Sequence, residues 1–309
     1  MKVARLEYPV YTLDNRLLLS AETELTAKTM KELIATNKDK SYKKLPFLEY
    51  GTVHRDIIRL FQKPPYDAIF REEEKTFALS LMRKINFITP VLEFIDYFKK
   101  YDSYTCRHIL MVFALSTILV RDLITKSKDW IVEAMAGTMH DLGKICVPLH
   151  ILKKTNPISR SEKNILEHHA MAGFVLVSYF LRDSRSIAAR VAKEHHERKD
   201  SSGYPQGILL KDRMVEIVAA CDVYDALLSL RPYRPTPYDN RTALEVVTEM
   251  AQKGKLNWKV VQALVSHNRK DRPHFRECVV SAEKRGTPPS NSLYGKIIED
   301  DPIAGKKSR

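Results

Sequence analysis

The chain has 309 residues, 44% of them hydrophobic, and a formal net charge of +13. That length accommodates one large domain or two ordinary ones with a packed core. No run approaches the roughly 18 consecutive apolar residues of a membrane span, and MKVARLEYPVYTLDN lacks the apolar core of a signal peptide, so a cytoplasmic location is expected.

In chain order, Pro9 to Leu19 reads as two short strands around a turn at Asp14-Asn15. Thr26 to Thr36 reads as a helix with Met30, Leu33 and Ile34 on one face. Asn37 to Tyr42 is a polar linker. Pro46 to Phe61 suggests a further strand and a helix, and Lys63-Pro64-Pro65 breaks any helix there. Residues 1–75 are therefore expected to form a small α+β N-terminal domain with a regulatory or dimerising role. From Glu72 the pattern becomes helical: Lys75 to Phe87, Pro90 to Lys100, His108 to Leu123 and Trp130 to His140. Within the third, Ile109 to Val120 is the longest apolar run, broken by Ser116 and Thr117, and reads as a buried helix. Ser159 and Glu162 form a capping box opening a helix to about Phe180. Ser184 to Glu197, Val215 to Leu230, Arg241 to Gln252 and Trp258 to His267 complete the set. Residues 76–270 thus read as a helical catalytic domain, and 271–309 as a basic, flexible tail.

The four cysteines, Cys106, Cys146, Cys221 and Cys278, include no CxxC pair, which argues for a reducing compartment without structural disulfides. From Arg241 onward there are 14 Lys/Arg against 8 Asp/Glu. Such an excess attracts polyanions. No RNA-binding aromatic signature or recognition helix accompanies it, so a solvated tail is the favoured reading and nucleic acid is not an expected partner.

Seven of the ten histidines fall between His108 and His196. His140-Asp141 ends an apolar helix, His195-His196-Glu197 follows about fifty residues later, and His169 and Asp222 lie on other helices. Imidazole and carboxylate are ligands that first-row metals accept. So many, from separate helices, point to a site for more than one metal, of the kind that activates water against a phosphate ester. An aspartate at position 141 can bridge two cations through its two oxygens. A lone helical histidine is ordinarily a satisfied core or surface residue, and that reading holds for His150 and His168. His54, His267 and His274 have no matching context.

The ordered segments His140-Asp141-Leu142-Gly143-Lys144, His195-His196-Glu197-Arg198-Lys199-Asp200, Gly203-Tyr204-Pro205 and Asp222-Val223-Tyr224-Asp225-Ala226-Leu227, followed by Arg231-Pro232-Tyr233-Arg234, resemble the HD-GYP family of metal-dependent phosphohydrolases. The likeness runs from about His108 to Leu264. It implies a mainly α fold, a helical HD-type bundle around a dinuclear metal site, and hydrolysis of the bacterial second messenger cyclic di-GMP to pGpG or GMP by a metal-bridging hydroxide. It implies one metal on His108, His140, Asp141 and Asp222, and another on Asp141, His169, His195 and His196. Where some members place a third-metal glutamate this chain has Tyr104, so two divalent ions are expected: Fe or Mn, with Ni or Zn also compatible. Lys144 is expected to stabilise phosphoryl charge, and Lys144, Tyr204, Arg231 and Arg234 to contact substrate. Asp200, Asp225 and Glu197 are expected to shape loops or orient ligands.

Two departures bear on substrate geometry. Ser201 stands where the family has glycine, at a cost if that backbone is left-handed. Lys154-Thr155-Asn156 replaces a KPG turn, and an asparagine tolerates left-handed geometry. The alternatives are a catalytically weak, metal-loaded cyclic-dinucleotide sensor signalling through a protein partner, and a phosphohydrolase for another nucleotide.

Overall fold

A computed structural model describes residues 4–124, 130–231, 234, 236–281, 283–290 and 297–299. Strands β1 (Val10–Tyr11) and β2 (Leu17–Leu19) pair antiparallel around a turn in which Asn15 takes φ 58°. Helix α1 (Ala27–Ala35) starts at Thr26, whose hydroxyl accepts from the Thr29 N–H, and buries Met30 and Leu33. Strand β3 (Lys44–Pro46) precedes α2 (Val53–Phe61), the short α3 (Tyr66–Ile69) and α4 (Glu72–Arg83). It then pairs antiparallel with β4 (Asn86–Ile88), a strand too short to show a period in the sequence. This pairing joins residues on either side of position 75.

The helical part is arranged around α6 (Ser103–Leu123). Asp102 caps it, and nearly all its residues from Thr105 to Val120 are buried. Among the described residues it is long and apolar enough to cross a membrane, although the sequence suggested no such stretch; 83% of its apolar window is buried inside the fold. It packs against α4, α5 (Thr89–Tyr101), α7 (Trp130–Ala136), α12 (Arg213–Leu228) and α14 (Trp258–Asn268). Helix α13 (Asn240–Gln252) packs against both α12 and α14. The fold is mainly α, with the β content confined to two-stranded pairs among the described residues.

Three expectations change in detail. The helix from Trp130 stops at Ala136, and turns carry the chain through His140-Asp141 into a 3-10 turn at Leu142–Cys146 and the short α8 (Leu149–Leu152). The helix opened by Ser159 is two helices, α9 (Arg160–Glu167) and α10 (His169–Leu181), joined at His168. The capping box at Ser159 and Glu162 is present. Asn156 is not among the residues with positive φ, so no left-handed asparagine stands in for the missing glycine.

One continuous apolar core reaches from Leu6 to Cys278. Phe47 from the N-terminal region packs edge-on against Phe113 of α6. Phe275 and Cys278, within the segment read as a tail, are buried, and Arg272 pairs with Glu74 at 2.5 Å. Strand β6 (Ile297–Ile298) runs parallel to β5 (Ile158–Ser159). Of the expected tail, 282, 291–296 and 300–309 lie outside the described residues, as do Pro232, Tyr233 and Pro235.

Candidate metal centre

Seven residues expected as ligands converge in the interior. His108 comes from α6, His140 and Asp141 from the turn before the 3-10 segment, and His169 from the first position of α10. His195 and His196 follow the end of α11 (Ile187–Glu194), and Asp222 lies on α12. Their nitrogen and oxygen atoms fall into two groups, each compact enough for one ion: His108, His140 and Asp222, and His169, His195 and His196. Asp141 stands between them. Its Oδ2 lies 3.4 Å from His140 Nε2 and 3.7 Å from His108 Nε2, while Oδ1 lies 3.5 Å from His169 Nε2 and 4.0 Å from His195 Nε2. Asp222 also spans the groups, with Oδ1 at 3.0 Å from His108 Nε2 and Oδ2 at 3.8 Å from His196 Nδ1.

The imidazoles are oriented from behind. Nδ1 of His140 faces the Gly137 carbonyl at 2.8 Å, that of His169 the Leu166 carbonyl at 2.6 Å, and that of His195 the carbonyls of Val191 and Ala192. A carbonyl only accepts, so each Nδ1 carries the proton and each Nε2 turns a lone pair inward. His108 turns Nδ1 to Asp225 Oδ2, 2.6 Å away, and Nε2 to Asp222 Oδ1, 3.0 Å away. Nε2 of His140 is buried with no hydrogen-bond partner, which suits an atom that ligates a cation. Burial pushes the His169 imidazole down to about 4 and that of His195 to about 3, keeping both neutral. Burial would raise the Asp141 and Asp222 carboxyls. Lys144 and His140 outweigh it at Asp141, and His108 and His196 at Asp222, so both sit well below the usual range. Neutral imidazoles and ionised carboxylates are the protonation states that metal ligation requires. The residues present fit a pair of divalent cations.

A family model described as an HD domain matches residues 96–260. The chain belongs to the HD-domain family. Within it, the chain carries the ordered motifs of the HD-GYP group. Relatives include a cyclic di-GMP phosphodiesterase response regulator of Xanthomonas campestris, 41% identical over 32% of this chain and 27% of its own. A cyclic di-GMP phosphodiesterase of Thermotoga maritima is 35% identical over 54% of this chain and 46% of its own. A 3′3′-cGAMP-specific phosphodiesterase of Vibrio cholerae is 33% identical over 43% and 25%. The match spans less than half the length of each of these relatives.

Around the HD ligands, the remaining predicted residues divide. Lys144 Nζ lies 2.5 Å from Asp141 Oδ2, buried at the edge of the cluster. Tyr204 stacks on His196, with ring centroids 4.4 Å apart and planes at 19°. The GYP loop is held by Glu197, which is buried and accepts from the N–H groups of Gln206 and Ile208 at 2.7 and 3.0 Å. Gly203 is pressed against the backbone of His196 and Glu197, where a Cβ would come within 2.3 Å of the His196 carbonyl oxygen. Ser201 takes φ 61°, the left-handed backbone that the family's glycine suits. Asp200 is exposed and accepts from the N–H and hydroxyl of Ser202, a loop-shaping contact.

Arg234 departs from expectation. It is 2% exposed, and its Nη2 donates to the carbonyls of Ala226, Leu227 and Ser229, closing the C-terminal end of α12. Its Nη2 is thus committed to carbonyls that the helix end leaves without intrahelical partners. Arg231 is half-buried, with its guanidinium carbon 4.5 Å from the Tyr104 ring centroid.

Asp225 carries a support that sequence reasoning missed in part. Tyr66 Oη donates to its Oδ1 at 2.5 Å, and Arg107 bonds both its oxygens. Tyr66 is separated by 159 positions from its partner, and no local signal marks it. His150 is exposed, and His267 pairs with Asp122 at 2.7 Å, away from the cluster. A cleft of about 580 Å³ lined by Arg16, Lys40, Tyr42 and Glu93 contains none of the seven residues.

Proposed function

We propose that the chain is a metal-dependent phosphodiesterase that hydrolyses cyclic di-GMP. The observation that carries this reading is Asp141, whose two oxygens face two separate groups of imidazoles. One cation would be held by His108, His140, Asp141 and Asp222, and a second by Asp141, His169, His195 and His196. Divalent metals supply positive charge for phosphoryl oxygens and lower the pKa of water. Fe or Mn suits the donor set, and Ni or Zn is compatible with it.

The chain's own residues would do the rest. Lys144 neutralises Asp141 and offers an ammonium to charge developing on a phosphoryl oxygen. Arg231 would bind substrate phosphate through its planar fork. Tyr204, stacked on His196, would bound the substrate on the side of the GYP loop. Asp225 fixes the tautomer of His108. The reading includes a cytoplasmic location and an N-terminal segment that regulates or dimerises the helical unit.

A second reading, hydrolysis of 3′3′-cGAMP, is favoured by the relative of that printed specificity. The test is hydrolysis by the purified full chain, reconstituted anaerobically with Fe or Mn and with metal content quantified. Turnover of cyclic di-GMP that disappears in Asp141→Ala supports the first reading, and its product decides between pGpG and GMP. Preferential turnover of 3′3′-cGAMP moves the assignment to the second. Two bound metals with no turnover of either leave a cyclic-dinucleotide sensor.

A further inference from the structure

Tyr104 lies one helical turn before His108 on α6, so both side chains leave the same face of the helix. Their rings are nearly parallel, with planes at 15° and centroids 5.7 Å apart. Arg231 sets its guanidinium over the Tyr104 ring at 4.5 Å. A continuous stack therefore runs from a histidine of the metal cluster, through an aromatic ring, to a cation. The far end of the stack is anchored as well. Arg231 and Arg234 exchange backbone hydrogen bonds of 3.1 and 2.8 Å, and Arg234 is tied to the last turn of α12. The two arginines thus have different tasks. Arg234 ties down the backbone from which Arg231 extends, and the Tyr104 ring offers a face on which the Arg231 guanidinium rests.

An arginine side chain has several rotatable bonds, and ordering it on binding an anion costs conformational freedom. A guanidinium already resting on an aromatic face has lost that freedom in advance. We propose that Tyr104 is a positioning residue that holds Arg231 beside the His108 side of the cluster, so that phosphate recognition depends on the tyrosine ring although tyrosine itself supplies no charge. This rests on the phosphoester reading of the site but not on the identity of the ester.

The test is a double-mutant cycle on the metal-loaded full chain, with Tyr104→Leu, Arg231→Ala and the pair. Binding of inorganic phosphate is read by calorimetry, metal content by elemental analysis, and KM and kcat for cyclic di-GMP in parallel. Tyr104→Leu is expected to weaken phosphate binding by about 10-fold, within the range of a partly desolvated cation–π contact. Arg231→Ala is expected to weaken it at least as much, and the double variant no further than Arg231→Ala alone. Metal content stays at the wild-type value, and Tyr104→Phe, which keeps the ring, restores binding to within about twofold. Additive losses in the double variant would overturn the proposal. So would a Tyr104→Leu protein that loses metal, since the ring would then serve His108 rather than Arg231. If the wild-type protein binds phosphate with this coupling but turns over no cyclic di-GMP, the substrate assignment fails and the positioning role stands.

Discussion

At the scale of single residues, the cluster depends on groups that never touch a metal. Asp225 is fully buried and accepts from Tyr66, Arg107 and His108. Burial raises its carboxyl, but Arg107 and His108 outweigh that and hold it below the usual range, so it is a fixed negative charge behind His108. Partners of this kind typically contribute 10–100-fold to metal affinity by fixing ring orientation and raising basicity. Asp225→Asn keeps the shape and removes the charge. Titration of the apo protein with Mn should give one site weakened by about 10-fold and a second site unchanged, because Asp225 backs His108 and none of His169, His195 or His196. Equal weakening of both sites, or of neither, would refute this division. The adjacent imidazoles and Asp141 could be proposed from sequence because they stand in short motifs. Tyr66 could not, because only the folded chain brings it to Asp225.

At the scale of elements, contacts between segments override local pattern. The capping box at Ser159 is a matter of four consecutive residues and was legible. The end of that helix at His168 was not. Gly143, from the 3-10 turn, packs so closely there that a Cβ would lie 1.9 Å from the His169 carbonyl oxygen and 2.4 Å from the Gly173 nitrogen. The same crossing brings His169 beside Asp141, with His169 Nε2 3.5 Å from Asp141 Oδ1. In the GYP loop, Ser201 at φ 61° introduces strain of about 1–2 kcal/mol, the usual cost of left-handed geometry for a residue with a Cβ. The loop tip is fixed independently, by Glu197 on Gln206 and Ile208 and by the Tyr204 N–H on the His196 carbonyl at 3.2 Å. Ser201→Gly should therefore stabilise the protein by about 1 kcal/mol in urea unfolding while KM changes by less than about twofold. A large fall in KM would mean that serine displaces Tyr204 after all.

At the scale of the molecule, the site gathers α6, α10, α12, the turn before the 3-10 segment and the end of α11 around one point, with apolar core packed behind them. Without cations, two ionised carboxylates remain buried there, offset by Lys144 and by His108. Burial alone would depress the His108 imidazole, but Asp222 and Asp225 outweigh it and raise the pKa. The centre of the fold thus holds two buried carboxylates whose partners are the cationic or hydrogen-bonding groups around them. The ligands are spread over more than a hundred residues of sequence, from His108 to Asp222, so an unfolded chain offers no comparable site, and metal binding is stabilisation of the native state. For each cation, at a free concentration 100 times its Kd, this amounts to about 2.7 kcal/mol, or a rise in Tm of about 4 °C per cation and about 8 °C for two in a chain of this size. Thermal unfolding followed by circular dichroism should show that rise between chelator-treated and Mn-loaded protein. Asp141→Ala should abolish most of it, since that carboxylate borders both groups. Identical Tm values for chelated and loaded wild-type protein, with two metals bound per chain, would mean that the cluster forms equally in the unfolded chain, against the geometry of a site assembled from five separate segments.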